Sequence, residues 1–191
     1  MSKTAWIFLA PGFEEVEAVT PIDYLRRAGI EVTVVSLVMA LDAGEKDILA
    51  VTGAHGISIR ADTHIVNMSA SLPDCIITPG GMPGADNIAA SAKACELLGQ
   101  CYAAGKLIAS ICASPIVVLE KLGILSGKTY TCFPGMDSAS AEKSTGNPTE
   151  TCGNVITGKS AGCAAHFSLA IIASLLGAEA AEKIKNTIHL G

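Results

Sequence analysis

Thr4 to Ala10 is an unbroken apolar run that ends at Pro11-Gly12, and a segment with helical spacing follows from Glu14 to Ala28. Val16, Val19, Ile22 and Leu25 share one face of that segment, acids occupy its first turn, and Gly29 closes it. Pro21 falls inside it, which predicts a kink. Ile30 to Val38, rich in Val and Thr, is a second strand. A strand–helix–strand order with a continuously apolar first strand indicates a parallel sheet covered on both faces.

The rest of the chain extends that pattern. Met39 to Asp47 is polar and irregular, as in an exposed loop. Ile48 to Thr52 and Gly56 to Arg60 are short alternating runs that predict a hairpin around Gly53-Ala54-His55-Gly56. Cys75 to Thr78 is a buried strand, ended by Pro79-Gly80-Gly81-Met82-Pro83-Gly84, and Ala85 to Ala104 is helical in two pieces. Lys106 to Ile111 reads as another buried strand and Ala113 to Gly123 as a helix, with Pro115 tolerated in its opening turn. Lys128 to Cys132 and Val155 to Thr157 predict further strands, and Cys163 to Leu176 and Ala178 to Ile188 predict closing helices. Phe133 to Asn154, rich in Gly, Ser and Thr, resists assignment. The expectation is one α/β domain over residues 1–191, a mostly parallel, doubly wound sheet with helices on both faces. Sites in such sheets form at the carboxyl ends of strands, so Pro11 to Glu17, Pro79 to Gly84 and the turn at Cys112 should converge.

Composition narrows the function. Aromatic residues are 4% of the chain, so the core must be Ala, Val, Ile and Leu. A net charge of -5 argues against nucleic acid or an anionic membrane as partner. The seven cysteines cannot all pair with one another, and none forms a CxxC. That is the pattern of a reduced cytoplasmic protein. Ala5 to Ala10 is too short for a signal h-region. Ser160 to Ala178 lacks Asp, Glu, Lys and Arg, but the helix that fits between Gly162 and Gly177 spans roughly 21 Å, short of the ~30 Å hydrocarbon core.

Cys112 stands where a strand gives way to a helix, and unpaired N–H groups there favour negative charge. Such placement can lower a thiol pKa from about 8.5 to roughly 3.5–7.5, giving a nucleophile and an oxidation target. A small buried cysteine that fills space is the other reading. Gly80-Gly81 can turn N–H groups inward and, with the N–H of Ala113, form an oxyanion hole, or it can be an ordinary turn. Glu14, Glu15 and Glu17 cannot all face one way, so one should point at the sheet edge while the others meet solvent. A carboxyl buried beside the sulfur would be held protonated and could donate to it; the alternative is three solvated acids complementing the dipole. The four histidines show no metal spacing, and Cys163 with His166 supplies only two ligands. No Walker sequence, GxGxxG or GxSxG elbow is present.

Leu9-Ala10-Pro11-Gly12-Phe13-Glu14-Glu15-Val16-Glu17-Ala18-Val19, Thr78-Pro79-Gly80-Gly81 and Ala109-Ser110-Ile111-Cys112-Ala113-Ser114-Pro115 together resemble the ThiJ/PfpI superfamily, and within it the parkinsonism-associated deglycase (DJ-one) branch. Tyr24 to Val34 extends the likeness, which covers nearly the whole chain. The resemblance implies a flavodoxin-like sandwich that usually forms a homodimer, with Cys112 as nucleophile and Glu17 as its protonated partner. It implies that the N–H groups of Gly81 and Ala113 line an oxyanion pocket beside Gly80. It further implies a cofactor-independent, metal-free glyoxalase or deglycase acting on small aldehydes such as methylglyoxal. Members are also described as oxidative-stress sensors and chaperones that use the same cysteine. An amidotransferase-like cysteine hydrolase is a third reading, but it needs a histidine base, and Ala113 stands where protease-like members have His. Phe133-Pro134 replaces a His-Pro of many relatives, and His55 stands in place of an interface arginine. Ser160-Ala161-Gly162 replaces a glycine-proline-glycine that borders the pocket.

Overall fold

The computed structural model describes residues 2–39, 47–68, 71–141 and 144–191. The first strand, β1 (Thr4–Leu9), leads into helix α1 (Glu15–Arg27) and back into β2 (Glu31–Ser36), the unit that the apolar pattern requires. Helix α1 is continuous through Pro21. Next come the antiparallel hairpin β3 (Ala50–Thr52) and β4 (Ser58–Arg60), then the short β5 (Thr63–His64). Most of the loop expected over Met39 to Asp47 lies outside the described residues. Strand β6 (Cys75–Thr78), helices α2 (Gly84–Ala90) and α3 (Ala92–Ala103) and strand β7 (Leu107–Ile111) follow. Ser91 separates the two helices and caps the second, its hydroxyl accepting from the N–H of Ala94 at 3.3 Å. The chain ends in β8 (Thr149–Cys152), β9 (Val155–Gly158), α4 (Ala164–Leu176) and α5 (Ala178–Thr187).

The main sheet has the order β5-β2-β1-β6-β7-β9-β8. Every pairing in it is parallel except β8 with β9. Alternate residues of β1 feed opposite cores. Ala5, Ile7 and Leu9 pack with α1, α4 and α5, whereas Trp6 and Phe8 pack with α2 and α3. Both faces are therefore covered, as the apolar run demands. Among the described residues no helix is long and apolar enough to cross a membrane.

Two expectations are corrected. Lys128 to Cys132 is no strand, because β8 already occupies the outer edge of β9. Its backbone instead pairs with a side chain and a loop: the N–H of Thr131 donates to Thr157 Oγ1 at 2.9 Å, and the carbonyl of Tyr130 accepts from Thr145. The helix expected over Ala113 to Gly123 is a six-residue π-helical turn, Pro115–Glu120. The carbonyl of Ala113 accepts from the N–H groups of both Ile116 and Val117, a first turn that Pro115, lacking an N–H, does not disturb.

The chain leaves β1 for β2 on one side and returns on the other side as β6. The sheet therefore has its switch point at β1 and β6, and the loops after β1, β6 and β7 open onto the same edge.

Candidate active site

Cys112 follows the last residue of β7 and has φ +65°. That region is unfavourable for a residue with a Cβ and persists only where the surroundings hold it. Here the Cys112 N–H donates to Gly158 of β9 at 2.9 Å, and the Cys112 carbonyl accepts from the N–H of Phe133 at 2.8 Å. Beside it, the buried Ser114 hydroxyl donates to the Pro79 carbonyl at 2.5 Å, and Thr78 Oγ1 donates to Ser110 Oγ at 2.8 Å. These bonds lock the ends of β6 and β7 together.

The two glycines after β6 serve different ends. A Cβ at Gly80 would stand 2.6 Å from Cys112 Cβ and 2.7 Å from Glu17 Oε2, so only glycine lets cysteine and carboxyl share this space. Gly81 has φ +85°, and a Cβ there would lie 2.6 Å from the Gly12 carbonyl oxygen. The Gly80 carbonyl accepts from the N–H of Glu14 at 2.9 Å, which joins the loops after β1 and β6.

Glu17 points inward from the first turn of α1 and is fully buried. Its Oε2 accepts from the N–H of Gly80 at 2.8 Å, while Oε1 has no hydrogen-bond partner among the described residues. Burial pushes its pKa up to about 7, with Glu14 adding repulsion and the Gly80 N–H and Cys112 opposing. Burial likewise pushes the Cys112 thiol up to about 12, reinforced by the charge of Glu17 and opposed by the N–H groups of Ala113 and Gly81. This overturns the expectation of a thiol lowered by a helix start. The helical turn behind Cys112 is only six residues long, too short to offset burial and a neighbouring carboxylate. The thiol therefore keeps its proton at neutral pH, with the unpartnered Glu17 Oε1 beside the site.

The mouth of the site is a cavity of about 430 Å³ lined by Glu14, Gly81, Met82, Cys112, Ala113, Phe133, Pro134, Gly135 and Met136. Cys112, Glu17, Gly80, Gly81, Ala113 and Phe133 are thus brought together, and no histidine lines the cavity. Ser160 is not among the lining residues; it precedes a short 3-10 turn, Ala161–Cys163, beyond β9. The Cys132 thiol donates to the Met136 carbonyl at 2.6 Å.

Glu15 was expected in solvent, yet it is buried against the β3–β4 hairpin. The hairpin tip docks on the loop after β1, where the N–H of Ala54 donates to Phe13 at 2.8 Å and the N–H of Gly12 to Thr52 at 2.9 Å. Glu15 then accepts from the N–H groups of His55, at 2.7 Å, and Ile57, at 3.3 Å, and meets His55 Nδ1 at 2.9 Å. Glu14, Glu15 and His55 can each offer a ligand atom within 4.8 Å of the others. The oxygens of Glu15 are already occupied by those donors, so the cluster is built as a hydrogen-bonded ion pair.

One contributor has no signal in the sequence. Glu120 ends the π-helical turn and accepts from Ser138 Oγ and from the N–H groups of Ala139 and Ser140, both at 3.1 Å. It pins the loop that follows Phe133 to Met136, the outer cavity wall. Serines in an unassigned loop gave no hint of that partner.

A family model described as the DJ-1/PfpI family matches residues 3–174. The chain is 36% identical over 187 residues to Protein dj-1beta of Drosophila melanogaster, covering 96% of this chain and 95% of that protein. It is 29% identical over 130 residues to a protein of Pyrococcus abyssi named as a deglycase, covering 68% of this chain and 72% of that one. Among solved structures it matches a cysteine-to-alanine mutant of a DJ-1 superfamily protein from Salmonella typhimurium at TM-score 0.90, with 31% identity and 99% of both chains covered.

Proposed function

The chain belongs to the DJ-1/PfpI family, and from that premise we propose that it is a cofactor-independent glyoxalase or deglycase for small reactive aldehydes such as methylglyoxal. The observation that carries this reading is the unpartnered, buried Oε1 of Glu17 beside the Cys112 thiol. A carboxyl with a pKa near 7 is present as both acid and base at neutral pH, as a proton shuttle requires. The Pyrococcus relative's name points the same way.

The chemistry needs no external oxidant or reductant. Cys112 sulfur adds to the aldehyde carbon while its proton passes to Glu17 and on to the aldehyde oxygen, giving a hemithioacetal. The N–H groups of Gly81 and Ala113 stabilise the negative charge that builds up during addition. Glu17 then removes the proton from C1, and an enediolate forms. Return of that proton to C2, with the C1 hydroxyl proton moving to the C2 oxygen, gives a lactyl thioester. Water cleaves the thioester, releasing lactate and restoring the thiol.

The test is methylglyoxal consumption with a lactate readout in amine-free buffer, comparing wild type, Cys112→Ser and Glu17→Gln. Loss in both variants supports the assignment; equal turnover by all three removes it.

The same residues support a second reading, an oxidative-stress sensor or chaperone. The Gly81 and Ala113 N–H groups and a protonated Glu17 would hold the oxygens of a Cys112 sulfinate. Peroxide should then oxidise Cys112 selectively, and mass spectrometry showing random oxidation of all seven cysteines would count against it. A cysteine hydrolase has less support, since no histidine lines the cavity. The resemblance supports a homodimer, the net charge of -5 argues against a nucleic-acid or membrane partner, and the unpaired cysteine pattern supports a cytoplasmic location. Light scattering of the purified chain tests the dimer.

A further inference from the structure

The cavity over Cys112 is walled by Met82, Phe133, Pro134 and Met136, and Glu14 is the ionisable side chain at its rim besides the thiol itself. Among the described residues no lysine or arginine lines it. Glu17 lies behind, against Gly80, and when ionised adds charge of the same sign. The Glu14 side chain is 18% exposed, so solvent screens it less than a surface acid. Among the described residues of the protomer, the cation source paired with Glu14 is the exposed His55, whose Nδ1 lies 3.6 Å from Glu14 but 2.9 Å from Glu15. His55 therefore serves Glu15 first and leaves Glu14 incompletely compensated. A substrate carboxylate in this cavity would meet like charge, with no lysine or arginine among the described lining residues to offset it. A neutral apolar substituent would instead cover Met82 and Phe133, which are 52% and 47% exposed.

We propose that Glu14 acts as a charge filter, making the site selective for 2-oxoaldehydes with neutral apolar substituents and against those bearing a carboxylate. The substrate class rests on the aldehyde reading above; the filter itself is a property of access to Cys112.

Phenylglyoxal and 4-carboxyphenylglyoxal differ only in that charge, and each takes up one water to become the corresponding mandelate. Wild type should favour phenylglyoxal in kcat/KM by about tenfold or more, and Glu14→Gln should narrow the ratio by at least about threefold. Phe133→Lys, which sets a cation on the facing wall, should narrow it too, and keeps the test open if Glu14→Gln misfolds. A wild-type ratio near one, or a ratio unmoved by a folded Glu14→Gln, overturns the proposal.

A second arm needs no turnover. Iodoacetamide and iodoacetate are matched in size, and each alkylates Cys112 by forming an S–C bond, expelling iodide and losing the thiol proton. Their rate ratio at Cys112, read by mass spectrometry and divided by that of N-acetylcysteine, should favour the neutral reagent by about tenfold and fall in Glu14→Gln. A normalised ratio of one in wild type overturns the filter. If no 2-oxoaldehyde is turned over but this ratio stays high, the aldehyde reading fails and the filter stands.

Discussion

Glu15 and Glu17 are two residues apart in the first turn of α1, and both have little solvent exposure, yet their pKa values move in opposite directions. Burial raises the pKa of each. For Glu15 it is outweighed by His55 and by the N–H groups of His55 and Ile57, and the pKa ends below the usual value. Glu17 has one N–H, from Gly80, and a thiol, and ends at about 7. The deeper burial of Glu17 and the larger set of donors around Glu15 together decide which acid stays ionised and which can carry a proton.

The largest effects should come from breaking the Glu17 side of this pair. Cys112→Ser should abolish lactate formation, and Glu17→Gln should lower kcat about 10²- to 10⁴-fold, the usual span of a lost acid–base group. In wild type, kcat/KM should rise with pH through about 7 as Glu17 becomes the carboxylate that accepts the proton. That limb should vanish from whatever residual rate Glu17→Gln retains. A Glu17→Gln profile that keeps the limb would assign it elsewhere.

The same shift predicts a stability effect of known sign. The folded pKa of Glu17 is about 7, above its ordinary 4.5, so the native state holds the proton more tightly than the unfolded chain. Its contribution is whole below pH 4.5 and lost as pH rises through 7. The loss approaches about 3 kcal/mol for a shift of this size. Glu17→Gln cannot ionise, so it should gain on wild type in urea melts as pH rises from 5 to about 8. Parallel stability curves for the two proteins would show that Glu17 pays no such penalty.

How much of this contrast is legible in the sequence follows from what each residue depends on. Apolar runs ended by Pro-Gly or Gly-Gly announce β1 and β6, and a switch-point sheet then brings Glu17, Gly80-Gly81 and Cys112 to one edge. Those positions follow from local pattern plus topology. The burial of Glu15 does not, because it depends on the hairpin folding back so that Ala54 bonds to Phe13. Nor does the Glu120 clamp, whose partners lie 18 to 20 residues away in a loop without pattern. The raised thiol depends on a burial and a helix length that composition cannot supply.

Glu15→Gln sharpens the comparison from the other side and should have a smaller effect. An amide oxygen accepts more weakly than a carboxylate, so the hairpin should lose about 1–2 kcal/mol of anchoring at neutral pH. Because the folded pKa of Glu15 lies below 4.5, its stabilisation is present above 4.5 and lost as pH falls through the folded value. Hydrogen exchange of the Ile57 amide should report the loss directly. Unchanged exchange would mean that Ala54 and Thr52 hold the hairpin without Glu15.

His55→Gln should have the smallest effect and the opposite pH dependence. The His55 pKa is raised above 6.5, first by its hydrogen bond to Glu15 and then by the charges of Glu14 and Glu15. Its contribution is therefore present below 6.5 and lost as pH rises through the folded value. The ring is largely exposed, so solvent weakens the pair, and only a modest difference in melting temperature should separate wild type from the variant near pH 5.5. The difference should close in alkaline buffer. If it instead persists there, the imidazole holds Glu15 as a neutral hydrogen-bond donor. Charge compensation would then play no part in keeping Glu15 ionised, and the contrast with Glu17 would rest on burial and hydrogen-bond donors alone.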